Sequence, residues 1–217
     1  MLESDELKSI ALSTGLILLN IVVIAVFAFT PLAKVSKTVF SVPIIGIIFF
    51  GALLTGGNYL AKRGIRNDRT GTASAGAAVL QFTYGLFGAG ALSLLEPGAY
   101  AAVLGITAVI TTGIALLAAL LVYGTDHNFR KWGMYSNYLF GGVFLFGLLG
   151  SLGALSPLLV LAFFLALAGF IVYLVYEIWD MKQRPARVMM NGLGIYVAYM
   201  GVFVEILRIV VAYYMEE

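Results

Sequence analysis

The chain has no cysteine among its 217 residues, which excludes disulfide scaffolds, thiol redox chemistry and cysteine-based metal centres. Charge is scarce as well. Asp, Glu, Lys and Arg make up 11% of the sequence and apolar residues 61%, where a soluble domain holds about 25% charged residues. At a mean hydropathy of +1.00, a water-soluble fold is ruled out. The formal net charge is only +2 and is dispersed along the chain, so nucleic acid is not a partner. The single histidine, His127, stands beside Asp126 and Asn128 with no metal-ligating constellation around it, and reads as a solvated loop residue. No proline falls near the middle of an apolar stretch, which argues against broken membrane helices.

The signatures of enzymes are missing too. There is no serine in a nucleophile elbow, no paired-histidine motif, no phosphate-cradling glycine loop before a lysine and no acidic pair at catalytic spacing. The last apolar stretch has no lysine, which rules out a retinal Schiff base there. The chain reads as a non-enzyme, and no cofactor is expected.

Long apolar runs are what the sequence does have. A bilayer core about 30 Å thick is crossed by roughly 20 apolar helical residues. Seven segments qualify: 10–30, 39–60, 73–95, 101–123, 132–152, 157–178 and 189–213. They leave two short tails and six short loops, so the expectation is an all-α membrane protein forming one integral domain over 1–217. The tightest connection is expected at Gly153-Ala154-Leu155-Ser156, before Pro157. The first segment follows Glu3, Asp5 and Glu6 rather than a basic leader, and is expected to stay as a permanent helix.

Lys and Arg fix the expected orientation. The N-terminal tail and loops 61–72, 124–131 and 179–188 carry ten of them, whereas the opposite side carries only Lys34 and Lys37. The N-terminus is therefore expected in the cytoplasm and the C-terminus outside.

The 25 glycines lie inside the spans as well as at their ends, among them Gly85, Gly88, Gly90, Gly147, Gly150, Gly192, Gly194 and Gly201. They serve either close helix packing or unwound backbone lining a substrate path, with packing the expected role. Tyr123, Trp132, Tyr135, Tyr138, Trp179, Tyr213 and Tyr214 mark span ends and read as an interfacial aromatic belt. Tyr173, Tyr176, Tyr196 and Tyr199 sit deeper and are candidates for hydrogen bonds within the bundle.

Ionisable residues within spans or at their edges are costly in lipid and are functional candidates by default. These are Glu177, with Asp180 one turn beyond it; Glu205 and Arg208, spaced to pair along one helix; and Lys62 and Arg63 at the end of the second span. Asn20, Asn58, Gln81, Thr83, Thr107, Thr111 and Asn191 add polar groups. Two alternatives stand beside a gating role. Glu177 and Asp180 would simply face headgroups near Lys182 and Arg184, and Glu205 with Arg208 would form a structural ion pair. Glu205 lies 16 residues beyond Met189, about 24 Å along the helix, so it and Glu177 are not expected to share one carboxylate site. Glu177 is expected at the level of Lys62, Arg63, Asn191 or a tyrosine hydroxyl.

Several stretches resemble the Bax-inhibitor-type family of seven-helix membrane proteins. They are Val175-Tyr176-Glu177-Ile178-Trp179-Asp180, the basic Lys182, Arg184 and Arg187, and Glu205-Ile206-Leu207-Arg208. Ile106 to Tyr123 followed by Thr125-Asp126-His127-Asn128-Phe129 is similar to the family's threonine-bearing fourth helix and short charged loop. The resemblance implies a final helix surrounded by the other six. It also implies a pH-sensitive leak for cations, calcium among them, gated by an acidic pair near the cytoplasmic ends of the sixth and seventh helices and a basic residue of the second.

Glu177 matches the first acid of that pair, but Ala198 stands near the place of the second. A lone glutamate loses the mutual shift of proton affinity that paired carboxylates have. It is also a poor calcium site, since calcium takes six to eight oxygens. Lys62 or Arg63 remains the expected latch for Glu177. The implied location is a prokaryotic inner membrane. A small-solute transporter subunit, with a polar pocket lined by Gln81, Tyr84 and Asn20, and a non-transporting scaffold are the competing readings.

Overall fold

A computed structural model of the chain describes residues 3–40, 43–153 and 156–216. Among these, eight α-helices and two single-turn 3-10 helices account for nearly all of the backbone. They are α1 (Ser4–Ala28), α2 (Pro31–Phe40), α3 (Pro43–Arg66), α4 (Thr70–Leu92), α5 (Tyr100–Gly124), α6 (Trp132–Leu152), α7 (Ser156–Gln183) and α8 (Val188–Glu216). Seven of them, all but α2, are long and apolar enough to cross a membrane. Ala154 and Leu155 of the expected tight turn before Pro157 lie outside the described residues.

Three expectations are corrected. The loop at 31–38 is a helix, α2, begun by Pro31 at a position where the missing N–H costs nothing. The Thr30 hydroxyl caps it, accepting from the Leu32 amide at 3.3 Å. Ten residues are too short to register as a span. The first span also starts earlier than expected, at Ser4, with Asp5 and Glu6 in its first turn, where carboxylates suit the helix dipole. Lastly, α7 runs on to Gln183 rather than stopping at 178. Its end is set by Pro185, which cannot continue the helix. Asp180 therefore lies within α7 and not beyond it.

The chain groups into two compact units: Met1–Ile17 with Gly105–Ile206, and Leu18–Leu104 with Leu207–Glu217. Small residues set the packing in both. In the second unit, Gly57, Ala61 and Gly64 recur along one face of α3 opposite Ala73, Gly76 and Leu80 of α4. A Cβ on Gly76 would collide with the Ala61 backbone N and lie 2.7 Å from the Gly57 carbonyl O. One on Gly64 would lie 2.6 Å from the Ala73 Cα. The α3–α4 hairpin is thus a backbone-on-backbone contact, the means by which helices associate in lipid without a hydrophobic force between them. It turns through Asp68, whose φ of 51° is the left-handed conformation of a helix C-terminus.

In the first unit, Gly133 seats the Tyr176 ring, Gly169 the Phe140 ring, Gly192 the Leu12 side chain and Gly201 the Phe170 ring. The helices run unbroken through these glycines. Packing is therefore their role, and the unwound-backbone alternative is set aside for the described residues.

Burial singles out the last helix. Every residue from Asn191 to Leu207 is buried, a run of nearly five turns that covers all faces, as expected of a helix enclosed on every side. Of the most apolar window of α8, 78% is buried, against 28% for α5. The large apolar side chains Val109, Leu116, Leu117 and Leu120 of α5 are exposed, which in lipid is the favourable state.

Candidate functional site

Glu177 is the acid best placed for a role. It lies three-quarters of the way along α7 and is only 6% exposed. Its carboxylate occupies the space where Gly194 of α8 lacks a side chain: a Cβ there would collide with Oε2 and lie 2.5 Å from Cδ and 3.0 Å from Oε1. Close approach of α7 and α8 at this glycine is what admits the carboxylate between them. Glu177 is level with Gly194, eleven residues short of Glu205, so the two acids are separated by about 16 Å along α8. The expectation that they form no pair agrees with this spacing. Ala198 follows Gly194 by one turn and is fully buried.

The other candidates are placed differently. Asp180 is buried and forms an ion pair with Arg184 one turn further on. Asn191 does not meet Glu177 through its amide. Its Nδ2 donates to the Arg184 carbonyl at 2.9 Å and the Pro185 carbonyl at 3.5 Å, which secures the α7–α8 turn. Glu205 is 4% exposed in α8. Arg208, three residues on, carries its guanidinium 5.7 Å above the Phe87 ring, a cation–π contact. Lys62 is half-buried near the end of α3. Arg63 is exposed and turns back on Tyr59 of its own helix, 3.4 Å from the hydroxyl and 6.0 Å from the ring centroid. Among the described residues no three His, Cys, Asp or Glu side chains gather as a metal site would require.

Sequence reasoning missed one cluster, in the first unit. Tyr123 stands at the end of α5, where an aromatic belt alone accounts for a tyrosine, but its hydroxyl donates to Glu6 Oε1 at 2.5 Å. Glu6 is 4% exposed, and its other oxygen accepts from the Glu3 amide at 2.6 Å. Lys182 of α7 donates to the Val122 carbonyl at 2.9 Å and lies 5.2 Å from the Tyr123 ring centroid. A cation there satisfies an end carbonyl of α5 and complements its dipole. Glu6, Tyr123 and Lys182 thus tie α1, α5 and α7 together, five residues or about 7 Å beyond Glu177 along α7. No spacing signals this, because Glu6 and Tyr123 are 117 residues apart. Tyr123→Phe leaves that carboxylate short of a donor and is expected to cost about 1–2 kcal/mol. A double-mutant cycle with Glu6→Gln in detergent unfolding should return most of that as coupling; zero coupling would mean that the bond contributes nothing.

Deeper in the same unit, Thr112 and Tyr199 share a 2.9 Å hydrogen bond, as expected for a tyrosine inside the bundle. Thr107, Thr111 and Tyr196 are fully buried nearby in sequence on the same two helices. In the second unit, the Asn20 amide donates to the Gln81 carbonyl O at 2.8 Å. Asn20, Gln81 and Tyr84 are all buried, so the side chains expected to line a solute pocket are enclosed in the packing. His127 is exposed in its loop, with its ring edge-on to Phe129 at 4.8 Å. The chain matches no protein-family model, no curated protein and no solved structure, so its function is read from this geometry and from the sequence.

Proposed function

We propose that this is an integral membrane protein of the Bax-inhibitor type, a passive leak for cations with calcium the first candidate, and that Glu177 holds its closed state. The observation that carries the reading is the carboxylate of Glu177 seated in the Gly194 niche between α7 and α8. An acid withdrawn from solvent within a membrane helix is expensive to keep and marks a functional position. The niche also gives it a mechanical consequence, because α8 is the enclosed helix against which it sits. Loss of the Glu177 charge on protonation weakens the interactions that hold the carboxylate in place and frees the α7–α8 contact. Flux is therefore greater with Glu177 neutral than with it charged. Further along α7, Asp180 and Arg184 neutralise each other as a pair.

The reading carries an N-terminus in the cytoplasm, which brings the Glu6–Tyr123–Lys182 cluster and the α7–α8 turn to the cytoplasmic face. Calcium flux into liposomes holding the purified protein, at about pH 6 and about pH 8, tests it. Flux should be greater at the lower pH, and Glu177→Gln should raise flux at the higher pH and flatten the difference. No flux at either pH would leave a scaffold role. Flux whose pH profile survives Glu177→Gln would place the gate elsewhere.

A further inference from the structure

The unforeseen helix α2 builds a second feature, independent of the gate. An open groove of about 520 Å³ lies where the end of α1, the start of α2 and the end of α4 meet, lined by Ala28, Phe29, Thr30, Lys34, Lys37 and Ser93, among others. The inner side of α2 is fixed: Ala33 is buried, and the fully buried Ser36 occupies the space at Gly90 of α4. That leaves Lys34 and Lys37, three residues apart and on one face, exposed at the groove. Among the described residues neither forms an ion pair. The hydroxyls of Thr30 and Ser93 are already committed to the Phe27 and Gly90 carbonyls. The two ammonium groups are thus the uncompensated charge of the groove, and they fit an anion.

The surroundings say which kind. Leu18, Val22 and Val26 of α1 and Phe29 just beyond its end succeed one another at spacings of four, four and three, and each is more than half exposed. They form one uncovered apolar stripe that ends in the groove at Phe29, whose ring is held 5.3 Å from that of Tyr100. A cationic notch at the head of an apolar track matches a ligand with a negative head and long hydrocarbon tails. The notch stands at the end of a helix long and apolar enough to cross a membrane, an end that in a bilayer falls at the level of the headgroups, and α2 is amphipathic in the manner of helices that rest in the interface plane. We infer that this groove binds an anionic phospholipid, its phosphate between Lys34 and Lys37 and its acyl chains along Val26, Val22 and Leu18.

The purified protein in neutral detergent is titrated with phosphatidylglycerol or phosphatidylcholine, and bound lipid is counted by native mass spectrometry. Phosphatidylglycerol should be retained in preference. Lys34→Gln and Lys37→Gln should each weaken it about fivefold, and the pair about 25-fold, the equivalent of ~1 kcal/mol for each basic residue beside an anionic lipid. Ser93→Trp, which keeps both charges but narrows the groove, should weaken it as well. Removing two exposed charges elsewhere, Arg130→Gln with Lys131→Gln, should not. Equal retention of the two lipids, or equal loss in the Arg130/Lys131 control, would overturn the site. Release of the lipid by excess inorganic phosphate, with phosphate itself retained, would make it a free-anion site and overturn the lipid assignment.

Discussion

Replacing Gly76 by valine is expected to destabilise the protein by ~3 kcal/mol or more, the upper range for forcing atoms into a closed core. The neighbours that a side chain would meet are the Ala61 backbone N and Cα and the Gly57 carbonyl O. Backbone cannot rotate away as a side-chain tip can, so α3 and α4 must separate along their length. That separation strips the opposing faces of dispersion contacts, which are the chief attraction between helices in lipid. Gly113→Val is the matched control, since nothing lies within 4 Å of a Cβ there; its effect should stay within about 0.5 kcal/mol. Unfolding in a denaturing detergent, followed by circular dichroism, reads both. If the two variants unfold together, the close contact at Gly76 contributes nothing to stability.

Gly194→Ala is expected to act as a chemical stand-in for protonation. The added methyl group falls on the Glu177 carboxylate, and one of the two must leave the niche. Overpacking of this kind costs ~1–3 kcal/mol, so the balance between closed and open forms moves by about fivefold to 150-fold, using 1.36 kcal/mol per decade. Flux at the higher pH should rise toward its low-pH level while Glu177 keeps its charge. Gly201→Ala supplies the comparison, because it intrudes on the same α7–α8 seam but meets the Phe170 ring. It should lower stability and leave the pH profile in place. Equal pH behaviour in the two variants would show that a general loosening of the seam, and not Glu177, sets the flux.

The two variants also show what each level of description supplies. Glu177 stood out in the sequence because an acid inside a long apolar run is conspicuous whatever surrounds it. Gly194 did not, since it is one of 25 glycines, and only the approach of α7 makes its missing side chain into a seat for a carboxylate. The Glu6–Tyr123–Lys182 cluster was hidden for a similar reason. Tyr123 and Lys182 sit at helix ends, where the aromatic belt and the headgroups already explain such residues. Glu6 comes from the far end of the chain.

The sequence alone determined the all-helical class and the seven spans, because a bilayer of fixed thickness leaves the backbone only one way to satisfy its hydrogen bonds over about 20 residues. It also placed Glu177, Glu205 and Arg208 within those spans. It was silent on α2, whose ten residues are shorter than a span and which is fixed against α4 by the fit of Ser36 at Gly90. Tertiary structure alone decided which glycines are contacts, which acids are enclosed and with which partners. Such meetings depend on distances across the packing, and hydropathy measures only how each segment prefers lipid to water.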